Sequence, residues 1–169
     1  MTDKTHEQFM AHAIERCRTR LADGTGAYSL ALVVKDGEVV AEGSNAVEAT
    51  HDAAAHSELI AIREAGRKLG TWNLSGCDLY VTFEPCVLCV AAIWWAKIDR
   101  VFFGAQLPDA PEFGKAELQA LSDEVLRPAG ERDRPYTQVM GEEAFDMFID
   151  WWERERPDAP WVAGDAAAS

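Results

Sequence analysis

The chain has 169 residues, the length of about one domain, and 16 basic against 29 acidic side chains give it a formal charge of −13. This charge argues against a protein that grips a phosphate backbone or docks on an anionic membrane, since both need clustered Lys and Arg. Hydrophobic residues make up 48% and charged residues 27%, so a globular domain is expected and not a disordered chain.

The predicted elements begin with an amphipathic helix. Apolar residues recur at helical spacing over residues 9–21, and an Asp-Gly pair then ends the helix. Two short apolar runs, at residues 30–34 and 39–41, flank the turn Asp36-Gly37, which predicts a β-hairpin. A loop that contains Asn45 follows.

Helices and strands alternate in the middle of the chain. Gly70 ends a second helical pattern, and Pro85 precedes an apolar segment that suits a core helix. The predicted elements are a helix at 56–70, a strand at 79–83, a helix at 87–96 and a strand at 101–103. This order after a hairpin predicts an α/β sandwich with a mixed sheet.

The C-terminal part contains weaker signals. They predict a loop at 105–117, a short helix at 118–126, a strand over Tyr136–Met140 and a last helix at 145–152. No linker is long enough to divide the chain, so we expect a single domain over residues 1–156 and a C-terminal tail at 157–169.

The start of the chain has no apolar run of the kind that a signal peptide requires, and no uncharged stretch approaches the length of a membrane span. We therefore expect a cytoplasmic location, no membrane partner and reduced cysteines.

Three residues form a candidate set of zinc ligands. Cys86 and Cys89 are three residues apart at a predicted helix start, so both thiolates face the same side of its first turn. His56 also lies at a helix start. One His and two Cys leave one position of a tetrahedral zinc ion open for water, as in catalytic sites. We expect one Zn²⁺ per chain.

Glu58 is expected to act beside the metal and not as a ligand. In the first turn of a helix, Glu58 and His56 both reach past the helix end. A carboxylate there can take the proton of a zinc-activated water. Without a metal site, Glu58 would be an ordinary solvated residue on an amphipathic helix.

The segments His56-Ser57-Glu58 and Pro85-Cys86-Val87-Leu88-Cys89 together match the H-x-E…P-C-x-x-C pattern of zinc base deaminases. A C-x-x-C pair alone is also typical of redox proteins, but redox chemistry does not explain His56 or Glu58. A purely structural zinc site is the remaining alternative.

On these motifs the chain resembles the cytidine deaminase-like superfamily over about residues 8–152, and within it the bacterial guanine deaminases and related nucleobase deaminases. Glu84, directly before Pro85, belongs to the cysteine segment of this resemblance. The other segments that carry it are Val34-Lys35-Asp36-Gly37, Ala41-Glu42-Gly43-Ser44-Asn45, Ala61-Ile62-Arg63, Ala92-Ile93-Trp94-Trp95-Ala96 and, for the guanine deaminase subgroup, Arg127-Pro128-Ala129-Gly130-Glu131-Arg132.

The resemblance implies a three-layer α/β/α fold with a central mixed sheet of about five strands. It also implies zinc bound by His56, Cys86 and Cys89, with Glu58 as proton shuttle. The guanine deaminases are dimers whose C-terminal segments cover the partner's site. A homodimer is therefore expected, with the aromatic tail either exchanged between subunits or packed on its own subunit.

Two residues match substrate-binding positions of the family. Asn45 corresponds to the asparagine whose amide hydrogen-bonds the base. Trp95 corresponds to an aromatic residue near the base pocket, and a core aromatic on an apolar helix is an equal alternative for it.

Departures from the family pattern bear on the substrate. Tyr28-Ser29-Leu30-Ala31 stands in place of Pro-Phe-Gly-Ala, and Ser57 replaces the alanine of the usual His-Ala-Glu. The resemblance implies that Glu117 or Glu112 replaces an Asp that assists catalysis in guanine deaminases, with a solvated loop residue as the alternative for each. Guanine, cytosine-type, isoguanine-like and triazine bases all remain open.

The leading hypothesis is an enzyme that hydrolytically deaminates a free nucleobase. Its substrate would be a small molecule, and ammonia would be a product. The alternatives are a tRNA-specific adenosine deaminase, a cytidine or nucleoside deaminase, and a zinc-stabilised binding module. The charge counts against the tRNA enzyme, because residues 141–169 contain eight acidic and two basic side chains. A segment of that sign repels RNA, so no nucleic-acid partner is expected.

Overall fold

The computed structural model describes residues 3–25, 28–106, 115–134 and 136–158, and all their side chains except those of 3–5 and 115–117. The chain divides into two compact units, Met1–Asp123 and Glu124–Ser169. The single domain over residues 1–156 stays a prediction.

The predicted order of helix, hairpin, helix, strand, helix and strand is confirmed. The described helices are α1 (Asp3–Ala22), α2 (Val47–Thr50), α3 (Ser57–Leu69), α4 (Val87–Trp95), α5 (Lys115–Leu126) and α6 (Gly141–Glu155). The described strands are β1 (Leu30–Lys35), β2 (Glu38–Ser44), β3 (Cys77–Phe83) and β4 (Arg100–Ala105). The short helix α2 interrupts the loop that was predicted after the hairpin.

The four described strands form one mixed sheet in the order β2-β1-β3-β4. β1 is antiparallel to β2 and to β3, whereas β3 and β4 are parallel. Asp36 and Gly37 join β1 to β2 with φ values of 51° and 82°. Two successive left-handed residues are the mark of a type I′ turn, which is why the Asp-Gly pair predicted this hairpin.

Helices cover both faces of the sheet, as the three-layer α/β/α expectation requires. Along β1, Leu30 and Leu32 pack with Ala13 of α1, whereas Ala31 and Val33 belong to the core that includes α3 and α4. The alternation follows from the two-residue period of a strand. The mixed α/β/α class is therefore confirmed.

About five strands were expected, and the described residues form four. The strand predicted over Tyr136–Met140 is absent from the structure. Residues 136–139 have no regular structure, and Val139 is 76% exposed. A segment whose composition favours a strand still needs a neighbouring strand to pair with, and this segment pairs with none of the described strands. Among the described residues, no helix has both the length and the apolarity needed to cross a membrane.

Candidate active site

The topology gathers several chain segments at one end of the sheet. Because β1 is antiparallel to both of its neighbours, its start lies beside the ends of β2 and β3. Ser29 precedes β1, Asn45 follows β2, and Glu84 follows β3. The chain then enters α4 directly after Glu84-Pro85-Cys86. Residues far apart in sequence therefore meet at this edge.

The three predicted ligands lie at two helix starts. His56 is the N-cap residue of α3 and Cys86 that of α4, and both have extended backbones. Neither side chain makes a capping hydrogen bond to its own helix. Both are thus available to a ligand, and Cys89 lies in the first turn of α4.

The three ligand atoms are spaced as zinc requires. The Cys86 and Cys89 Sγ atoms are 3.7 Å apart, and they lie 3.6 Å and 3.4 Å from His56 Nδ1. A tetrahedral zinc with bonds of about 2.3 Å to sulfur and 2.0–2.1 Å to nitrogen separates two sulfurs by about 3.8 Å, and a sulfur from a nitrogen by about 3.6 Å. Among the described residues, no other cluster of His, Cys, Asp or Glu side chains is arranged to hold a metal.

The electrostatics of the Cys86 thiol also suit a cation. The hydrogen bond with Cys89 lowers the pKa of Cys86 to about 5. The same bond raises the pKa of Cys89, because the two sulfurs share one proton. The positive end of the α4 dipole adds to the stabilisation of a thiolate at the helix start. One ligand is therefore ionised near neutral pH, the form in which thiols bind zinc.

Glu58 lies in the first turn of α3 and is only 5% exposed. With His56 and Cys86 it lines a cavity, which we call the site cavity. Its Oε2 atom accepts a hydrogen bond from Ser57 Oγ at 2.8 Å. A buried carboxylate beside two candidate metal ligands is chemically able to exchange protons with a molecule in the cavity.

The other walls of the site cavity include two aromatic rings and two polar side chains. Tyr28 and Phe83 meet edge to face, with ring centroids 5.9 Å apart. Burial raises the pKa of Tyr28, so its hydroxyl stays protonated at neutral pH. Asn45 and Glu84 also line the cavity, and the Asn45 Oδ1 atom accepts the Val47 N–H at 3.3 Å. The cavity thus offers flat apolar rings together with groups that hydrogen-bond.

The remaining predicted site residues lie elsewhere. Trp95 is 67% exposed and lines a separate surface groove with Ile62 and Trp72. Its alternative interpretation as a core residue is therefore wrong, and its role toward substrate stays a prediction. Glu117 belongs to α5, which begins within the predicted loop, but its side chain lies outside the described set, as does all of Glu112.

Sequence reasoning assigned no role to several residues of this site. Glu84 and Phe83 directly precede the Pro-Cys motif, and that position is a signal that could have pointed to them. Tyr28 was noted only as a departure from the family pattern. Its ring nevertheless lines the cavity.

Comparisons with known proteins agree with this geometry. A model of the cytidine and deoxycytidylate deaminase zinc-binding region matches residues 3–105. The guanine deaminase of Bacillus subtilis is 38% identical over 146 residues, which cover 86% of this chain and 93% of that protein. The solved structure of guanine deaminase from that organism has a TM-score of 0.78 and 34% identity, covering 96% of this chain and 99% of that chain.

A tRNA-specific adenosine deaminase is also similar over a shorter stretch. The enzyme of Aquifex aeolicus is 47% identical over 75 residues. Those residues are 44% of this chain and half of that enzyme's length.

Proposed function

The chain belongs to the cytidine and deoxycytidylate deaminase zinc-binding family, and on that premise we propose that it is a hydrolytic deaminase of a free nucleobase, guanine or a closely related base. The observation that carries the proposal is the pairing of two features in one cavity. They are a His, Cys, Cys set at zinc spacing, of which His56 and Cys86 line the cavity, and the buried carboxylate of Glu58.

In the proposed reaction, water adds to the ring carbon that carries the amino group, and ammonia leaves, so that a carbonyl replaces the C–NH₂ group. His56, Cys86 and Cys89 would hold zinc, which when bound would act as a Lewis acid toward water near neutral pH. Glu58 takes the proton that water loses and delivers it to the ring nitrogen. It then passes the proton of the newly added hydroxyl to the amine, so that the carbonyl forms as the C–N bond breaks. Atoms balance, since one water is consumed for each ammonia released.

Other residues of the chain bind and orient the base. The rings of Tyr28 and Phe83 offer apolar surface to a planar heterocycle. The Asn45 amide, fixed by its bond to the Val47 N–H, is placed to hydrogen-bond a ring edge. Glu84 adds an acceptor for the N–H groups that purines such as guanine carry.

A free base is favoured over tRNA by the extent of similarity and by charge. The match to guanine deaminase spans 146 residues, more than the 123 of the first unit, so it extends into the second. The match to the tRNA enzyme is 75 residues long. The formal charge of −13 also opposes binding to RNA. The 47% identity to the tRNA enzyme keeps tRNA adenosine deamination as the second candidate function.

The proposal is tested by ammonia release from a panel of substrates. The zinc-loaded protein is incubated with guanine, isoguanine, cytosine, adenine, their nucleosides and aminotriazines. We expect turnover of at least one free base with kcat/KM of about 10⁴ M⁻¹s⁻¹ or more. Turnover of nucleosides alone would contradict the free-base assignment.

A filter-binding assay with tRNA at low salt separates the two candidates. We expect no retention of tRNA, because the acidic chain repels a polyanion most strongly where screening is weakest. Tight binding together with deamination of the tRNA would assign the second candidate function instead.

We also propose a homodimer with one zinc per chain. The outer face of the α3 and α4 layer exposes three large rings: Trp72 is 69%, Trp94 62% and Trp95 67% exposed. Exposed apolar surface of this kind is typical of interaction sites. Light scattering is expected to give the mass of two chains of 18.6 kDa, and the mass of one chain would contradict the dimer.

A further inference from the structure

The Glu58 carboxylate is held by hydroxyl groups that the zinc motif does not require. Ser57 Oγ donates to Glu58 Oε2 at 2.8 Å, and Ser29 Oγ lies 2.7 Å from Ser57 Oγ. All three residues are buried: Ser57 is fully inaccessible, and Ser29 and Glu58 are 6% and 5% exposed. A buried chain of three side chains thus links the start of β1 to the start of α3.

The direction of the two hydrogen bonds among Ser29, Ser57 and Glu58 follows from the donors that are available. An ionised carboxylate only accepts hydrogen bonds, and each serine hydroxyl has a single proton to donate. Glu58 uses the Ser57 proton, so Ser29 is the donor in the bond between the serines. While Glu58 is ionised, the bonds therefore run from Ser29 to Ser57 to Glu58. Buried bonds to a charged acceptor are stronger than neutral ones and fix its orientation.

The backbone at Ser57 packs closely against β2. Gly43 of β2 faces the first turn of α3, and a Cβ atom there would overlap the Ser57 carbonyl oxygen. It would also lie 2.5 Å from the Ala61 backbone nitrogen. Only glycine permits this approach, so the strand supports the turn that carries Ser57 and Glu58.

From these contacts, and resting on the proposed deaminase function, we infer that Ser57 is a positioning residue that, held by Ser29, orients the Glu58 carboxylate for proton transfer. Ser57 Oγ binds Oε2 and so restricts the rotation of the carboxylate. Ser57 acts through Glu58 and does not itself touch the reacting atoms.

Replacing Ser57 by Ala is expected to lower kcat about tenfold and to leave KM within about twofold, because orientation of the carboxylate and not substrate binding is lost. Ser29→Ala is expected to lower kcat about threefold and to add nothing in the Ser57→Ala background, since Ser29 acts through Ser57. Steady-state kinetics of the zinc-loaded single and double variants measure both effects.

Ser44 provides the matched control. Its hydroxyl is buried and has no hydrogen-bond partner among the described residues, so Ser44→Ala removes the same atom without touching Glu58. We expect parental kcat and KM for this variant. The positioning role would be overturned if Ser57→Ala had the same kcat as Ser44→Ala. It would also be overturned if Ser57→Ala raised KM and left kcat unchanged.

Crystal structures of the zinc-bound parent and variants give a readout that does not depend on turnover. The Glu58 carboxylate is expected to keep one orientation in the parent and in Ser44→Ala, and to move or split in Ser57→Ala. An unchanged Glu58 in Ser57→Ala overturns the inference even if the protein deaminates bases. If the parent releases no ammonia from any base, the proposed function is wrong. The comparison of Glu58 in the parent and Ser57→Ala structures still tests whether Ser57 orients the carboxylate.

Discussion

Replacing Glu58 by Ala is expected to lower ammonia release about 10³-fold while zinc content and fold stay at parental values. The carboxylate is the buried acid in the site cavity that moves protons in the proposed reaction, and removal of such a group typically costs 10²–10⁴-fold. Glu58→Gln keeps the shape and is expected to lose as much, because an amide does not shuttle protons at neutral pH. Turnover measured beside zinc content and thermal unfolding separates this loss from misfolding.

Glu64→Ala is the matched control for that experiment. Glu64 lies on the same helix, but it faces solvent in an ion pair with Arg67. Its loss is expected to leave turnover unchanged. If Glu58→Gln instead leaves turnover and every other measured property unchanged, the zinc-stabilised binding module is the better description of the protein.

Replacing Cys86 by Ala is expected to remove the bound zinc and with it all deaminase activity. With one of three ligands gone, the metal keeps two protein donors, so zinc content is expected to fall from about one to below about 0.2 per chain. The unfolding temperature is also expected to fall, because metal binding and folding are coupled. Metal analysis and calorimetry of the purified variant measure both.

Cys17 offers a control with the same change of side chain. It is buried in the apolar core between α1 and the sheet, away from the ligand set. Cys17→Ala is expected to retain zinc and activity and to lose only a small amount of stability. Full zinc content in Cys86→Ala would show that another group of the chain holds the metal.

The architecture was predictable where local signals agree with the tertiary fold. The Asp36-Gly37 turn needs two left-handed residues, and only a few residue pairs supply them, so the hairpin was visible in the sequence. The residue types and spacing of His56, Cys86 and Cys89 likewise predicted a zinc site before any distance between them was known. The structure brings these three side chains to zinc spacing.

Other features depend on contacts that no local pattern contains. Residues 136–140 are apolar enough for a strand, but strand formation requires a partner that this segment lacks among the described strands. Helix α4 is apolar on all sides, so periodicity did not reveal that Trp95 lies on its exposed face. The link between Ser29 and Ser57 joins residues 28 positions apart, and only the meeting of β1 with α3 creates it.

The most direct test of the account is the origin of the product oxygen. The zinc-loaded protein is incubated in ¹⁸O-labelled water with guanine or with the base that the panel selects, and the product is analysed by mass spectrometry beside released ammonia. Hydrolytic deamination with Glu58 as proton shuttle predicts one solvent oxygen in the product for each ammonia released. It also predicts only background conversion with Glu58→Ala. Ammonia release without solvent oxygen in the product, or equal conversion by Glu58→Ala, would contradict hydrolytic deamination at this site.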